Sequence, residues 1–214
     1  VITCDVVGST KIPGIENKIS RALYMMNRDE HRFLVTRFEV TRGDEFQAVI
    51  GSPEDSYALY QRLRDLMQLP LYAGLGLGKI TYRGSSLPHS REMTGLAFVR
   101  SREALEEAKR GRFEFVANIG IKDVDVIINT LAAAAQFIKS HRTKRQNEII
   151  ATVTKNLDSD QRKTATKLGI TQPTLSEILK YGGYDELLQI SIAIKKLLLN
   201  AIERYGELEE KKNE

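Results

Sequence analysis

Hydrophobic and polar positions change period along this chain, and the change divides it. Val1–Val7 is a nearly continuous apolar run, the pattern of a buried strand. Positions 16–35 repeat apolar residues at helical spacing. Phe33–Thr41 and Phe46–Ile50 are apolar and β-branched, split by Gly43-Asp44, and predict a hairpin. Ser52-Pro53-Glu54-Asp55 supplies a cap, a first-turn proline and acids at a positive helix end, so a helix is expected to about Gln68. Leu71–Ile80 reads as a strand with Gly74, Gly76 and Gly78 on one face, where backbone, helix or ligand packs closely. A polar loop (Tyr82–Ser90), a helix (Leu96–Arg110) and a short strand (Arg112–Val116) follow. The order β-α-β-β-α-β-α-β predicts an α+β domain: an antiparallel or mixed sheet with helices on one face.

After Gly120 the pattern is helical throughout, which places the domain boundary near residue 120. Asp123–Ile138 carries the run Leu131-Ala132-Ala133-Ala134-Ala135, small enough for close helix packing. Helix is expected through Asn156, again over 161–180 and again over Tyr184–Tyr205. The last of these has apolar residues on more than one face. They either close the core of a second domain, 121–206, or meet a second subunit. Residues 207–214 are acidic and read as a frayed tail.

Composition narrows the setting. No apolar run approaches the ~18 residues of a membrane span. The lone Cys4 has no disulfide partner, which fits a reducing cytoplasm, and the three histidines lack zinc-ligand spacing. The net charge of +4 matters less than its distribution. Between Lys139 and Lys180 nine Lys/Arg face four Asp/Glu, a local +5 that favours a polyanion.

Two short stretches carry candidate chemistry. Asp5 closes the first strand and is followed by Gly8-Ser9-Thr10-Lys11, where a glycine turn can aim N–H groups at an anion. Asp44 and Glu45 stand at the hairpin tip. If the hairpin lies beside the first strand, the carboxylates converge and suit Mg²⁺ or Mn²⁺ with a nucleotide phosphate.

Asp5-Val6-Val7-Gly8-Ser9-Thr10 resembles the first metal strand of class III nucleotide cyclases. Arg42-Gly43-Asp44-Glu45-Phe46 resembles their second metal hairpin and the signature of GGDEF diguanylate cyclases. A closer resemblance is to the SatD family. It rests on Gly43–Gln47, on Gly74-Leu75-Gly76-Leu77-Gly78-Lys79-Ile80-Thr81, on Gly95-Leu96-Ala97-Phe98 and on Arg102-Glu103-Ala104. A C-terminal helix-turn-helix is also similar, and the resemblance spans 1 to about 182. It implies a ferredoxin-like, cyclase- or palm-like fold, with metal at Asp5, Asp44 and Glu45 and nucleotide at Gly8, Ser9, Thr10, Lys11 and Arg102. Departures bear on catalysis. The cyclase asparagine position holds Val99, Arg102 is one residue off the cyclase spacing, and Thr94 precedes the glycine where an acid is usual. Losing a transition-state contact lowers a rate by orders of magnitude, so a metal-binding but inactive domain is expected.

Gln161–Lys180 matches a helix-turn-helix. Ala165 is small at the helix crossing, Gly169 permits the turn, Thr171 caps the second helix, and Pro173 is tolerated in its first turn. Leu168, Ile170, Leu175 and Ile178 have the spacing of a small core. Gln172, Thr174 and Ser176 would then face DNA bases, with Arg162, Lys163 and Lys180 near phosphates and Thr171 at the helix start. The expectation is a cytoplasmic, homodimeric, double-stranded-DNA-binding transcription regulator with a nucleotide-sensing domain. The alternative is a Mg²⁺-dependent nucleotidyl cyclase or nucleotidyltransferase.

Overall fold

The computed structural model describes residues 1–82, 89–155 and 160–213. Its contacts divide the chain into two units, Val1–Ala133 with Ala193–Glu214, and Ala134–Ile192. The division falls inside two long helices.

The first unit is α+β. Its strands are β1 (Ile2–Val6), β2 (Glu39–Arg42), β3 (Glu45–Ala48), β4 (Leu71–Gly76) and β7 (Phe115–Asn118), in the order β2-β3-β1-β4-β7. Four strands pair antiparallel, while β4 and β7 are parallel, so the sheet is mixed. The hairpin turns at Gly43-Asp44 as expected, with Gly43 at φ 61°. Helices α1 (Ile15–Asp29), α2 (Ser56–Met67) and α3 (Leu96–Gly111) complete the layers. Two short strands, β5 (Ile80–Tyr82) and β6 (Met93–Gly95), pair separately and were not foreseen. Of the expected loop Tyr82–Ser90, Tyr82 ends β5, Ser90 opens a 3₁₀ turn, and residues 83–88 lie outside the described residues. Ser52 makes no side-chain cap bond; a single 3₁₀ turn, Pro53–Asp55, precedes α2.

The helices cover both faces of the sheet, not one. Tyr57 and Tyr60 of α2 pack on Phe115, which neighbours Ala73 and Cys4 on one face, and α1 lies beside α2. On the other face Val116 packs with Ala104 and Ala108 of α3. The glycine strand explains this second layer. A methyl at Gly74 would meet Ser101 O at 2.2 Å and Leu105 N at 2.3 Å, and one at Gly76 would meet Ala97 O at 2.2 Å. Only bare backbone lets α3 sit that close.

Helix α4 (Lys122–Ser140) begins in this unit. Its Asp125 accepts from Ile119 N and Gly120 N, and Asn129 bonds both backbone groups of Ala117 on the edge strand β7. The last helix, α8 (Tyr184–Asn213), buries Ile194, Leu198 and Ala201 in the same unit and stays helical across the acidic residues expected to fray. Among the described residues no helix is long and apolar enough to cross a membrane.

The second unit holds α5 (Lys144–Lys155), α6 (Gln161–Lys167) and α7 (Gln172–Tyr181). Ile149, Ile150, Ala165, Leu175 and Leu179 form its buried cluster. Leu168, Ile170 and Ile178 pack against that cluster, half-buried. Thr143 and Gln146 cap α5 reciprocally, each backbone N–H donating to the other's side chain. The expected extension to Asn156 ends outside the described residues.

Candidate functional site

Strand register brings the carboxylates together. β1 and β3 run antiparallel with Asp5 directly opposite Glu45, and Asp44 precedes Glu45 in the turn. Glu45 is therefore the first residue of a strand, 7% exposed, and not a residue of the tip. Period-two alternation puts Thr3, Asp5, Glu45 and Gln47 on the face covered by α3.

That helix answers both carboxylates. Lys109 Nζ lies 2.8 Å from Asp5 Oδ2 and 3.7 Å from Glu106 Oε1. Arg102 grips Glu45 with two nitrogens, at 2.7 and 3.4 Å, and Thr41 Oγ1 donates to Glu45 Oε1 at 3.1 Å. Burial pushes the Asp5 carboxyl above its ordinary range. The Lys109 bond and charge pull it back, and Asp44 and Glu45 push it up again. Burial opposes the Lys109 ammonium, but Asp5, Glu106 and Glu45 outweigh it and hold its pKa above the usual lysine value. Cys4, on the opposite face, is fully buried, and burial holds its thiol neutral.

The remaining residues expected at a nucleotide are dispersed in role. Gly8 turns at φ 66°, and Ser9–Lys11 form one 3₁₀ turn with Thr10 and Lys11 exposed. The turn follows β1 at the sheet end where the hairpin reverses. Arg102 is spent on Glu45. Two further arginines serve the fold: Arg100 donates to Leu77 O and Ile119 O, and Arg91 to Val40 O.

The donor set decides whether Mg²⁺ or Mn²⁺ fits. Such an ion takes carboxylate oxygens directly; Asp5 Oδ2 already meets the Lys109 ammonium, and both Glu45 oxygens meet the Arg102 guanidinium. Among the described residues no group of three or more His, Cys, Asp or Glu is arranged to hold a metal. As folded, the site does not fit a resident divalent ion.

In the second unit, α6 and α7 are joined by Leu168–Thr171, with Gly169 at φ 67°. Asp160 caps α6 by accepting from Arg162 N, and Thr171 caps α7 by accepting from Thr174 N. Leu175 and Leu179 turn inward, while Thr171, Gln172, Thr174, Ser176 and Lys180 are exposed on α7 and its cap, as are Arg162 and Lys163 on α6. Thr174's hydroxyl is held by that of Thr171 at 2.8 Å.

A model of the SatD family matches residues 1–198. The chain belongs to the SatD family. No curated protein and no solved structure matches it.

Sequence reasoning missed the basic partners in this SatD-family chain. Lys109 had a signal: Ala97, Ser101, Leu105 and Lys109 recur every four residues and form one row of α3. It also missed the Glu39 cluster, where residues about fifty apart meet. His89 Nδ1 lies 2.5 Å from Glu39 Oε1, and Ser90 donates to Glu39 Oε2 through N and Oγ. Gln47 donates to Ser90 Oγ at 3.1 Å. No local pattern announces such a contact.

Proposed function

We propose that the chain is a homodimeric DNA-binding transcription regulator whose α7 enters the major groove of duplex DNA. The observation that carries the reading is the two-sidedness of α7. Leu175 and Leu179 anchor it to α5 and α6, and Gln172, Ser176 and Lys180 are exposed on the other side. A turned pair of short helices with a capped, outward-facing second helix suits groove recognition. The Gln amide can pair with adenine, and Arg162, Lys163 and Lys180 can meet phosphates. Exposed Leu188, Ile192 and Leu199 on α8 support a second copy as partner.

The sheet unit is, in this reading, a palm-like domain without turnover. The order β2-β3-β1-β4, with α1 and α2 in the crossovers, supports a ferredoxin-like assignment. A regulatory nucleotide would meet the exposed turn Gly8–Lys11. The cyclase or nucleotidyltransferase alternative requires Asp5 released from Lys109.

The test is selection of sites from a random duplex library, then anisotropy titrations at two salt concentrations. Enrichment of one sequence is expected. Gln172→Ala should weaken that site by roughly 10- to 100-fold, and Lys163→Ala should weaken all duplexes alike. No enriched sequence at physiological salt would refute the proposal.

A further inference from the structure

We propose that Lys109 is a built-in cation that closes the Asp5–Glu45 site to divalent metals. Three observations converge on it.

The first is position. Ala97 and Ser101 lie against Gly76, and Ser101 and Leu105 against Gly74. Lys109 is the next member of that row. Tyr72, two residues before Gly74 on β4, is the register partner of Asp5. The row that the glycines dock on the sheet thus delivers the ammonium over Asp5.

The second is charge. Lys109 and Arg102 together bring to Asp5 and Glu45 the two positive charges that one Mg²⁺ would bring. The third is geometry. Lys109 Nζ, at 2.8 Å from Asp5 Oδ2 with Glu106 Oε1 at 3.7 Å, sits where an ion coordinated by Asp5 Oδ2 would sit. The site keeps the acidic residues of a metal centre and supplies its cation from the chain.

The experiment titrates Mn²⁺ into the full chain, read by the electron paramagnetic resonance of free Mn²⁺ and by calorimetry. Wild type should show no binding that Asp5→Asn removes. Lys109→Met should gain Mn²⁺ affinity by roughly tenfold or more, and the gain should vanish when Asp5→Asn is added. Lys109→Arg should stay closed. Lys109→Gln serves if the Met variant does not fold, as judged by circular dichroism. Asp5-dependent Mn²⁺ binding by wild type would overturn the proposal, whatever the variants do. So would a folded Lys109→Met or Lys109→Gln protein that gains nothing.

Discussion

Replacing Gly76 by alanine tests the packing that positions the carboxylate site. The added Cβ would sit 2.2 Å from Ala97 O and 2.3 Å from Ser101 N, both backbone atoms of α3. No rotamer relieves the clash, so α3 must retreat by about 1 Å to restore ordinary contact. Its buried face, Ala97, Ser101, Ala104, Leu105 and Ala108, then loses contact with the sheet. Overpacking typically costs about 1–3 kcal/mol, and a rigid backbone neighbour puts this case at the upper end. The lower unfolded-state entropy of alanine returns about 0.5–1 kcal/mol. The expected net loss is about 2 kcal/mol. With a urea slope of roughly 1–3 kcal/mol/M, the unfolding midpoint should fall by about 1 M. Gly51→Ala is the control, because its Cβ would meet only Val35 Cγ2 at 3.4 Å and Phe33 O at 3.6 Å. It should leave the midpoint unchanged or slightly raised. If Gly76→Ala behaved like Gly51→Ala, the close seat of α3 would be wrong, and the placement of Lys109 with it.

Two further outcomes are expected. His89 is raised above its ordinary 6.5 by the Glu39 hydrogen bond and charge. Burial works to raise the Glu39 carboxyl, but bonds from His89 and Ser90 outweigh it and leave it below 4.5. The His89 contribution is complete below 6.5 and lost as pH rises through its folded value. That of Glu39 is present above 4.5 and lost as pH falls through its own. Urea midpoints of wild type and His89→Gln should therefore differ most between these limits and converge at alkaline pH; a pH-independent difference would refute the ion pair. In the other unit, Thr171→Ala removes the cap on α7 and should cost about 1 kcal/mol, a fall of roughly 2–4 °C in Tm, with Thr171→Ser close to wild type. An unchanged Tm would mean that the cap contributes nothing.

Local rules explain what was legible in the sequence. Gly43-Asp44 marks a hairpin turn because few residues reverse two strands so tightly. Antiparallel pairing then fixed Asp5 against Glu45. Thr171, Pro173 and Gly169 likewise mark where α6 ends and α7 starts. The glycine face of β4 announced a close neighbour but not its kind. Glycines state only that a side chain is missing, and α3 starts only at Leu96. The side of the sheet on which each helix packs was illegible for a related reason. The apolar run Val1–Val7 reads as a buried strand but does not say which element covers each of its faces. The structure buries both, covering Thr3 with the Ser101 hydroxyl at 3.0 Å and Asp5 with Lys109.

That second layer alters what the acidic motif means. Carboxylates at a strand end and beside a hairpin turn look the same in sequence whether their counter-ion is a metal or a lysine sixty or a hundred residues away. Only the tertiary fold distinguishes them, and here the deciding residue lies on the surface helix, not in the motif. A motif of ligands is evidence for a metal only with an empty space between the ligands. In this chain the glycines of β4 admit α3, the row Ala97-Ser101-Leu105 faces the sheet, and Lys109 pairs with Asp5. The feature that suggested a catalyst is, through its packing, an argument for a structural ion-pair site, and the exposed residues of α7 carry the functional reading instead.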